Sequence, residues 1–179
     1  MVDNRPLTNV ELGRALTQSM LSSARNRTFL DALLHFTLAV KPQRRLVGGF
    51  AVDRSGPHRG KLDLKRGGLW PVVLLGRWMA LVVGEARGAT VDRIRLGAAA
   101  GLLTPGEAED LISAFEQIFQ LRFEQAIAAL KSGAADDSHV APRELDPLRR
   151  RYLDDSLRAI AETQTAVRSA WAGSSWTGD

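Results

Sequence analysis

Polar residues placed where apolar ones are expected are the first clue to chemistry in this chain. Residues 69–83 are uncharged except for Arg77. A lone cation in such a run is costly unless a counter-charge or a ligand meets it. Arg122 lies seven, four and three residues beyond Phe115, Ile118 and Phe119, on the apolar face that those three define. Gln125, seven beyond Ile118, joins that face. In the last apolar seam, Leu153, Leu157, Ile160, Val167 and Trp171, the one polar step is Gln164. Upstream of Arg77, the stretch 60–68 carries Lys61, Asp63, Lys65 and Arg66 ahead of Gly67 and Gly68.

Arginine forks bind phosphate or carboxylate in two places, and inward amides must find hydrogen-bond partners. Two readings follow. In one, these groups lock a loop to a bundle, with Asp63 the favoured counter-ion of Arg77 or Arg122. In the other, they line a polar cleft for a phosphate or a base. The candidate substrate- or nucleotide-binding set is Asp63, Lys65, Arg66, Arg77, Arg122, Gln125 and Gln164.

No catalytic set accompanies them. The chain has no cysteine, so thiolate chemistry and disulfides are excluded. His35, His58 and His139 are scattered without ligand spacing, and no acid cluster suggests a metal site. The Gly67-Gly68 turn before Pro71 is neither a Walker loop nor a dinucleotide fingerprint, and Pro71 lacks a donor. The two glycines read as a site of close packing.

The elements that must hold these groups are helices. Thr8 with Glu11 reads as a capping box opening a helix to about Ser23 that buries Leu12, Leu16 and Met20. Asn26 caps a second helix carrying Leu30, Leu33, Leu34 and Leu38, stopped by Lys41 and Pro42. Residues 46–68 hold six glycines and no helical period; 49–52 and 61–64 read as short strands of an irregular loop or small β-hairpin. An apolar helix starts at Leu69, and another at a Thr90 N-cap ends near Gly101. Thr104, Pro105 and Glu107 open a long helix to about Lys131. A polar linker, residues 133–143, leads to Asp146 and Pro147, which start the last helix, to about Trp171. The fold class is therefore all-α: a bundle of about six helices with a small irregular or β-hairpin insert. Residues 1–173 form a single domain and 174–179 a disordered tail.

Composition fits this frame. The chain has 179 residues, 45% hydrophobic and 25% charged, with a net charge of +4. The cations are dispersed apart from Arg44-Arg45 and Arg149-Arg150-Arg151, with no dense stripe interleaved with aromatics, which argues against nucleic acid as partner. A modest positive excess suits a small phosphate or an acidic protein. Residues 69–83 are short for a membrane span, so they read as a core helix. With no leader-like start, a cytoplasmic protein is expected.

The run Gly60-Lys61-Leu62-Asp63-Leu64-Lys65-Arg66-Gly67-Gly68-Leu69-Trp70-Pro71, followed by Arg77, resembles the hallmark of the nucleotidyltransferase substrate-binding domain. That is the C-terminal helical domain of a bacterial family similar to protein-PII uridylyltransferases. The similarity continues through Thr90 and Arg93, the run 101–104, the run 121–125, the run 139–142, Leu145 and the last helix to Gln164. It covers roughly residues 3–170, and Asp3 to Leu7 resemble the joint after the catalytic domain. In relatives, cyclic-nucleotide-binding and CBS regulatory domains precede that catalytic domain. The resemblance implies a helical module that binds substrate or nucleotide beside a nucleotidyltransferase domain, in cis or in trans, in bacterial signalling. It implies Mg²⁺ and a nucleoside triphosphate for the catalytic partner, no cofactor in this chain, and a protein acceptor. The family's catalytic Gly-Ser and paired-Asp motif is not found in these 179 residues, so no transfer is expected from them alone. The alternative function is a non-catalytic interaction or dimerisation bundle with a regulatory role.

Overall fold

Caps fix where the helices begin. A computed structural model of the chain describes residues 8–45, 49–134 and 138–176. Helix α1 spans Val10–Ser23, and its N-cap is Asn9, whose Oδ1 accepts from Leu12 N at 2.9 Å. The expected Thr8 cap is thus displaced by one residue, to a neighbour whose side chain caps at least as well. Helix α2 spans Arg27–Ala39, and Asn26 caps it as expected, accepting from Thr28 N and Phe29 N. A single π-helical turn, Lys65–Leu69, leads directly into α3, Trp70–Val83. Helix α4 spans Thr90–Ala99; its N-cap is Ala89 rather than Thr90, and the Asp92 carboxylate accepts the Ala89 N–H at 2.9 Å. Gly101, at φ +77°, closes α4 with left-handed backbone. Helix α5, Pro105–Ser132, opens with the Thr104–Glu107 box: Glu107 N donates to Thr104 Oγ1 and Thr104 N donates to Glu107 Oε2. Helix α6, Pro147–Ala172, opens on Asp146, which accepts from Leu148 N and Arg149 N at 3.0 Å.

Helix α3 is the centre of the bundle, packing on α2, α4 and α6. Its Val72, Leu75, Trp78 and Met79 are fully buried with Leu30 and Leu34 of α2, Ile94 of α4, Leu111 and Ile118 of α5, and Leu157 and Ile160 of α6. Trp78 Nε1 donates to the Leu30 carbonyl at 3.0 Å, so the indole satisfies its polar atom while tying α3 to α2. Gly97 lets α4 lie close: a Cβ there would stand 2.6 Å from Met79 Sδ. The stretch Lys65–Val83 is long and apolar enough to cross a membrane, but 61% of it is buried inside the bundle, which accounts for its apolarity.

The insert is small and irregular, one of the two forms expected, and Asp53 bonds across its turn to Lys61 and Gly60, but its strand pairs outside it. Its strand, β1 (Leu62–Asp63), pairs antiparallel with β2 (His139–Val140), in register Leu62 to Val140 and Asp63 to His139. Residues 49–52 instead join the chain just after α2, through a bridge from Phe50 to Arg44 and an Ala51 N–H to the Gln43 carbonyl at 3.0 Å. The reason is burial. Leu62 and Leu64 are wholly enclosed, so their partner strand must itself reach the core, as buried Val140 does. The His58 ring stacks on His139, 3.7 Å apart and 6° from parallel, pinning loop to linker.

Two apolar faces expected to be buried are buried only in part. Leu12 is 67% exposed, and only Met20 and Leu21 of α1 reach the core as partly buried residues. On α5 the seam runs through Ala108, Leu111, Ile112 and Ile118, leaving Phe115 partly buried and Phe119 53% exposed. At the other end, contacts continue to Ser174 and Trp176. Arg27 donates to the Ser174 carbonyl at 3.0 Å and to that of Trp171 at 2.7 Å, and its guanidinium lies 4.0 Å over the Trp171 ring. Trp176 packs against Trp171, while residues 177–179 lie outside the described residues.

Candidate functional site

Asp63 begins the site, and its carboxylate acts locally. Oδ1 accepts from Lys65 N and Arg66 N, both at 2.9 Å, and so caps the π-turn. Asp63 therefore serves as a helix cap, rather than as the counter-ion expected for Arg77 or Arg122. The same bonds occupy the backbone donors that an anion would need at this helix start. Its own N–H donates to Gln43 Oε1 at 2.8 Å, and Gln43 N donates to the Gly67 carbonyl at 3.0 Å. Gln43, which the sequence reading missed, thus straps the insert to the turn. The glycines pack as expected: a Cβ on Gly67 would meet the Gln43 side chain, and one on Gly68 would stand 2.9 Å from Ile118 Cγ2. Lys65 and Arg66 themselves face solvent.

The π-turn also sets how α3 is rotated. At about 100° per residue, Trp70, Val73, Leu74 and Arg77 fall on one face, and Leu75, Trp78 and Met79 on the face that enters the core. The first set meets α2. Phe36 and Val40 from α2 and its C-cap join Trp70, Val73, Leu74 and Arg77 around a cleft of about 230 Å³. Phe36 is 63% exposed and Trp70 46%, so both aromatics stand at the mouth. Arg77 is half-buried and is the one charged group among these lining residues. Behind the cleft, buried Gln164 donates from Nε2 to the Val40 carbonyl at 2.9 Å, fixing the end of α2 that forms one wall. Just past Val40, partial withdrawal from water and the charge of Arg168 hold the Lys41 ammonium below its ordinary range.

A second, larger cavity lies between α5 and α6. Its volume is about 360 Å³, and Ile118, Leu121, Leu148, Tyr152 and Leu153 supply most of its apolar wall. Its charges are mutually satisfied: Arg149 Nη1 lies 2.9 Å from Glu124 Oε2, and its Nε lies 3.4 Å from Asp146 Oδ2. Beside it, Phe119, Phe123, Ile127 and Leu130 form an exposed stripe along α5.

The seven candidate residues do not converge on one point. Asp63, Lys65 and Arg66 sit at the head of α3, and Arg77 and the strap Gln164 belong to the α2–α3 cleft. Arg122 and Gln125 lie on α5, half-buried, and line neither cavity. The oxygen of Gln125 is buried without a hydrogen-bond partner, as is that of Gln164. Phe36 and Trp70 were missed as site residues because nothing in their type marks them as exposed. The available signal was that Phe36 lies off the Leu30–Leu34–Leu38 stripe. Buried Arg93 was also not foreseen as inward; its guanidinium donates to the Ala86 carbonyl at 3.4 Å.

Residues 27–171 match the family described as "Putative nucleotidyltransferase substrate binding domain". The matched segment begins at Arg27 and ends at Trp171, the two residues whose contacts close α2 onto the end of α6. No curated protein and no solved structure matches the chain.

Proposed function

The chain belongs to the nucleotidyltransferase substrate-binding domain family, and on that premise we propose that it holds a substrate in the α2–α3 cleft for a nucleotidyltransferase catalytic domain. The observation that supports the cleft is its lining: two exposed aromatics and an arginine set among apolar side chains. Small-molecule sites combine apolar walls with a few convergent polar groups in this way. In this reading the chain supplies binding and orientation, which convert an encounter between reactants into a positioned step. The catalytic domain, acting in cis or in trans, is of the protein-PII uridylyltransferase type. It transfers a nucleotide to a protein acceptor in bacterial signalling, in the cytoplasm, with neither nucleic acid nor membrane as partner. The Mg²⁺ and the metal-bound triphosphate chemistry belong to that domain. The cleft does not fit the metal, because its lining offers no carboxylate and Arg77 would repel a cation.

The test measures labelled-nucleotide transfer by a catalytic domain of this type, with and without the chain. The chain alone is expected to transfer nothing, and its addition to lower KM. Transfer by the chain alone, or an unchanged KM, would overturn the reading.

A second reading has its own support. The stripe Phe119, Phe123, Ile127 and Leu130 is an apolar face of the kind that marks protein contacts. It favours an interaction bundle, including one that pairs two copies of the chain. Sedimentation of the chain and of Phe123→Glu distinguishes the two: a dimer that the substitution dissolves supports the second reading.

A further inference from the structure

We propose that the exposed stripe of α5, Phe119, Phe123, Ile127 and Leu130, pairs with the same stripe of a second copy of this chain, the two helices antiparallel and the two-fold axis beside Phe123. This rests on the reading of the stripe as an interface and adds its occupant, direction and register.

Three observations carry it. The first is that the stripe continues a buried face. At about 100° per residue, its four residues return to the side of α5 that carries Ile112. Ile112 is buried and Phe115 partly buried, and all four beyond them are exposed. Helix α5 packs on α4, on the π-turn and on α6. It has 28 residues against 10 in α4, so α4 can flank only part of its length. The apolar face runs on past its cover, as faces that meet a partner do.

The second is the grading of size. Two large rings lie at the N-terminal end of the stripe and two smaller aliphatic side chains at the C-terminal end. In the antiparallel pair Phe119 falls between the partner's Ile127 and the partner's Leu130, so large meets small and the two faces interdigitate. A parallel pair would set ring on ring and leave the aliphatic ends thin.

The third is charge, and it selects a second copy over an unrelated helix. Glu116 and Lys131 lie on one flank of the stripe, seven residues before Phe123 and eight after it. Both are exposed, and neither is in an ion pair among the described residues. An antiparallel two-fold sets the same flank of each helix side by side and reverses its order. Glu116 then comes beside the partner's Lys131, and Lys131 beside the partner's Glu116. A parallel pair would bring like charges together.

Four partly exposed side chains of this kind offer on the order of 400 Å² per copy, below the ~800 Å² per side of a standard interface. The pair is therefore reversible and depends on concentration.

The test is sedimentation equilibrium of the full chain over a concentration series, at low and at high salt. A monomer–dimer equilibrium is expected. Phe123→Glu places two like charges at the two-fold and should weaken the dimer by about 100-fold or more. Leu12→Glu, at an exposed apolar residue of α1, should leave it unchanged. Glu116→Lys and Lys131→Glu should each weaken it by about tenfold at low salt. An equimolar mixture of these two variants should pair as tightly as the parent, because each copy then meets opposite charge, and the gain should fade at high salt. The substituted residues are exposed, so melts in dilute solution should match the parent and separate lost pairing from lost folding. A chain that stays monomeric throughout would overturn the proposal. So would a dimer that survives Phe123→Glu or that Leu12→Glu dissolves equally. If Phe123→Glu dissolves the dimer while the mixture pairs no better than either variant, the antiparallel register is wrong and the interface reading stands.

Discussion

Two cavities among the described residues differ in the opposite sense to their size. The α5–α6 groove is larger, about 360 Å³ against about 230 Å³, yet Arg149 lies among Glu124 and Asp146, and Ser156 donates to Gln117 at 3.1 Å. The α2–α3 cleft is smaller and has two exposed aromatics and an arginine set among apolar side chains. A cavity whose polar groups already satisfy one another offers an incoming ligand little. One with aromatic side chains at its mouth and apolar walls offers both stacking and desolvation. The π-turn stands between the two. Gly68 touches Ile118 in the wall of the groove, and two residues later Trp70 lines the cleft.

The sharpest way to break this comparison is to truncate one exposed aromatic on each side. Trp70→Ala should cancel most of the fall in KM that the chain brings to the transfer assay, about tenfold for one lost aromatic anchor. Tyr152→Ala, in the lining of the α5–α6 groove, should leave KM unchanged; equal losses would erase the distinction between the sites. A smaller effect should reach both cavities at once. Gly68→Val forces a side chain against Ile118, and overpacking of this kind costs about 1–3 kcal/mol. The melting temperature should fall by several degrees, and the effect of the chain on KM should fall with it as Trp70 shifts. An unchanged melting temperature would show that α5 yields freely there.

Asp63→Ala tests what the head of α3 is for. A lost helix cap costs about 1 kcal/mol, whereas removing one partner of a buried ion pair costs about 3–5 kcal/mol. Because Asp63 caps Lys65 N and Arg66 N much as Asp146 caps Leu148 N and Arg149 N, Asp63→Ala and Asp146→Ala should show similar losses in urea unfolding. A loss several times larger at Asp63 would restore the ion-pair reading.

The mildest effect concerns acid. The Trp171 indole N–H, donating to Asp31 Oδ1 at 2.6 Å, is the main cause that holds the Asp31 carboxyl below the usual carboxylate range; Arg27 adds to it. Because the folded pKa is lowered, this contribution is present above the unfolded value of about 4. It is lost as pH falls through the folded value. Asp31→Asn should flatten the stability profile below about pH 4 without altering KM in the transfer assay. A profile that keeps its acid slope would show that other carboxylates govern it.

Local signals carried far here. The capping box of Thr104 with Glu107, the caps at Asn26 and Asp146, and the α6 seam with Gln164 inward all occur as the sequence implies, because each depends on local spacing along the chain. Sequence similarity likewise indicated the family, since the glycine-bearing run before α3 is contiguous. The contacts of long reach were not legible. That Leu62 would pair with Val140 depended on which strand could reach the core. That Asp63 would cap its own turn depended on a π-turn no periodicity announces. That Phe119 would be exposed depended on how far α6 extends over α5. The sequence by itself determined the helices, their polar intrusions and the family, because these follow from spacing along one chain. Only the tertiary structure decided that Phe36, Trp70 and Arg77 share a cleft, because packing sets the rotation of α3 against α2.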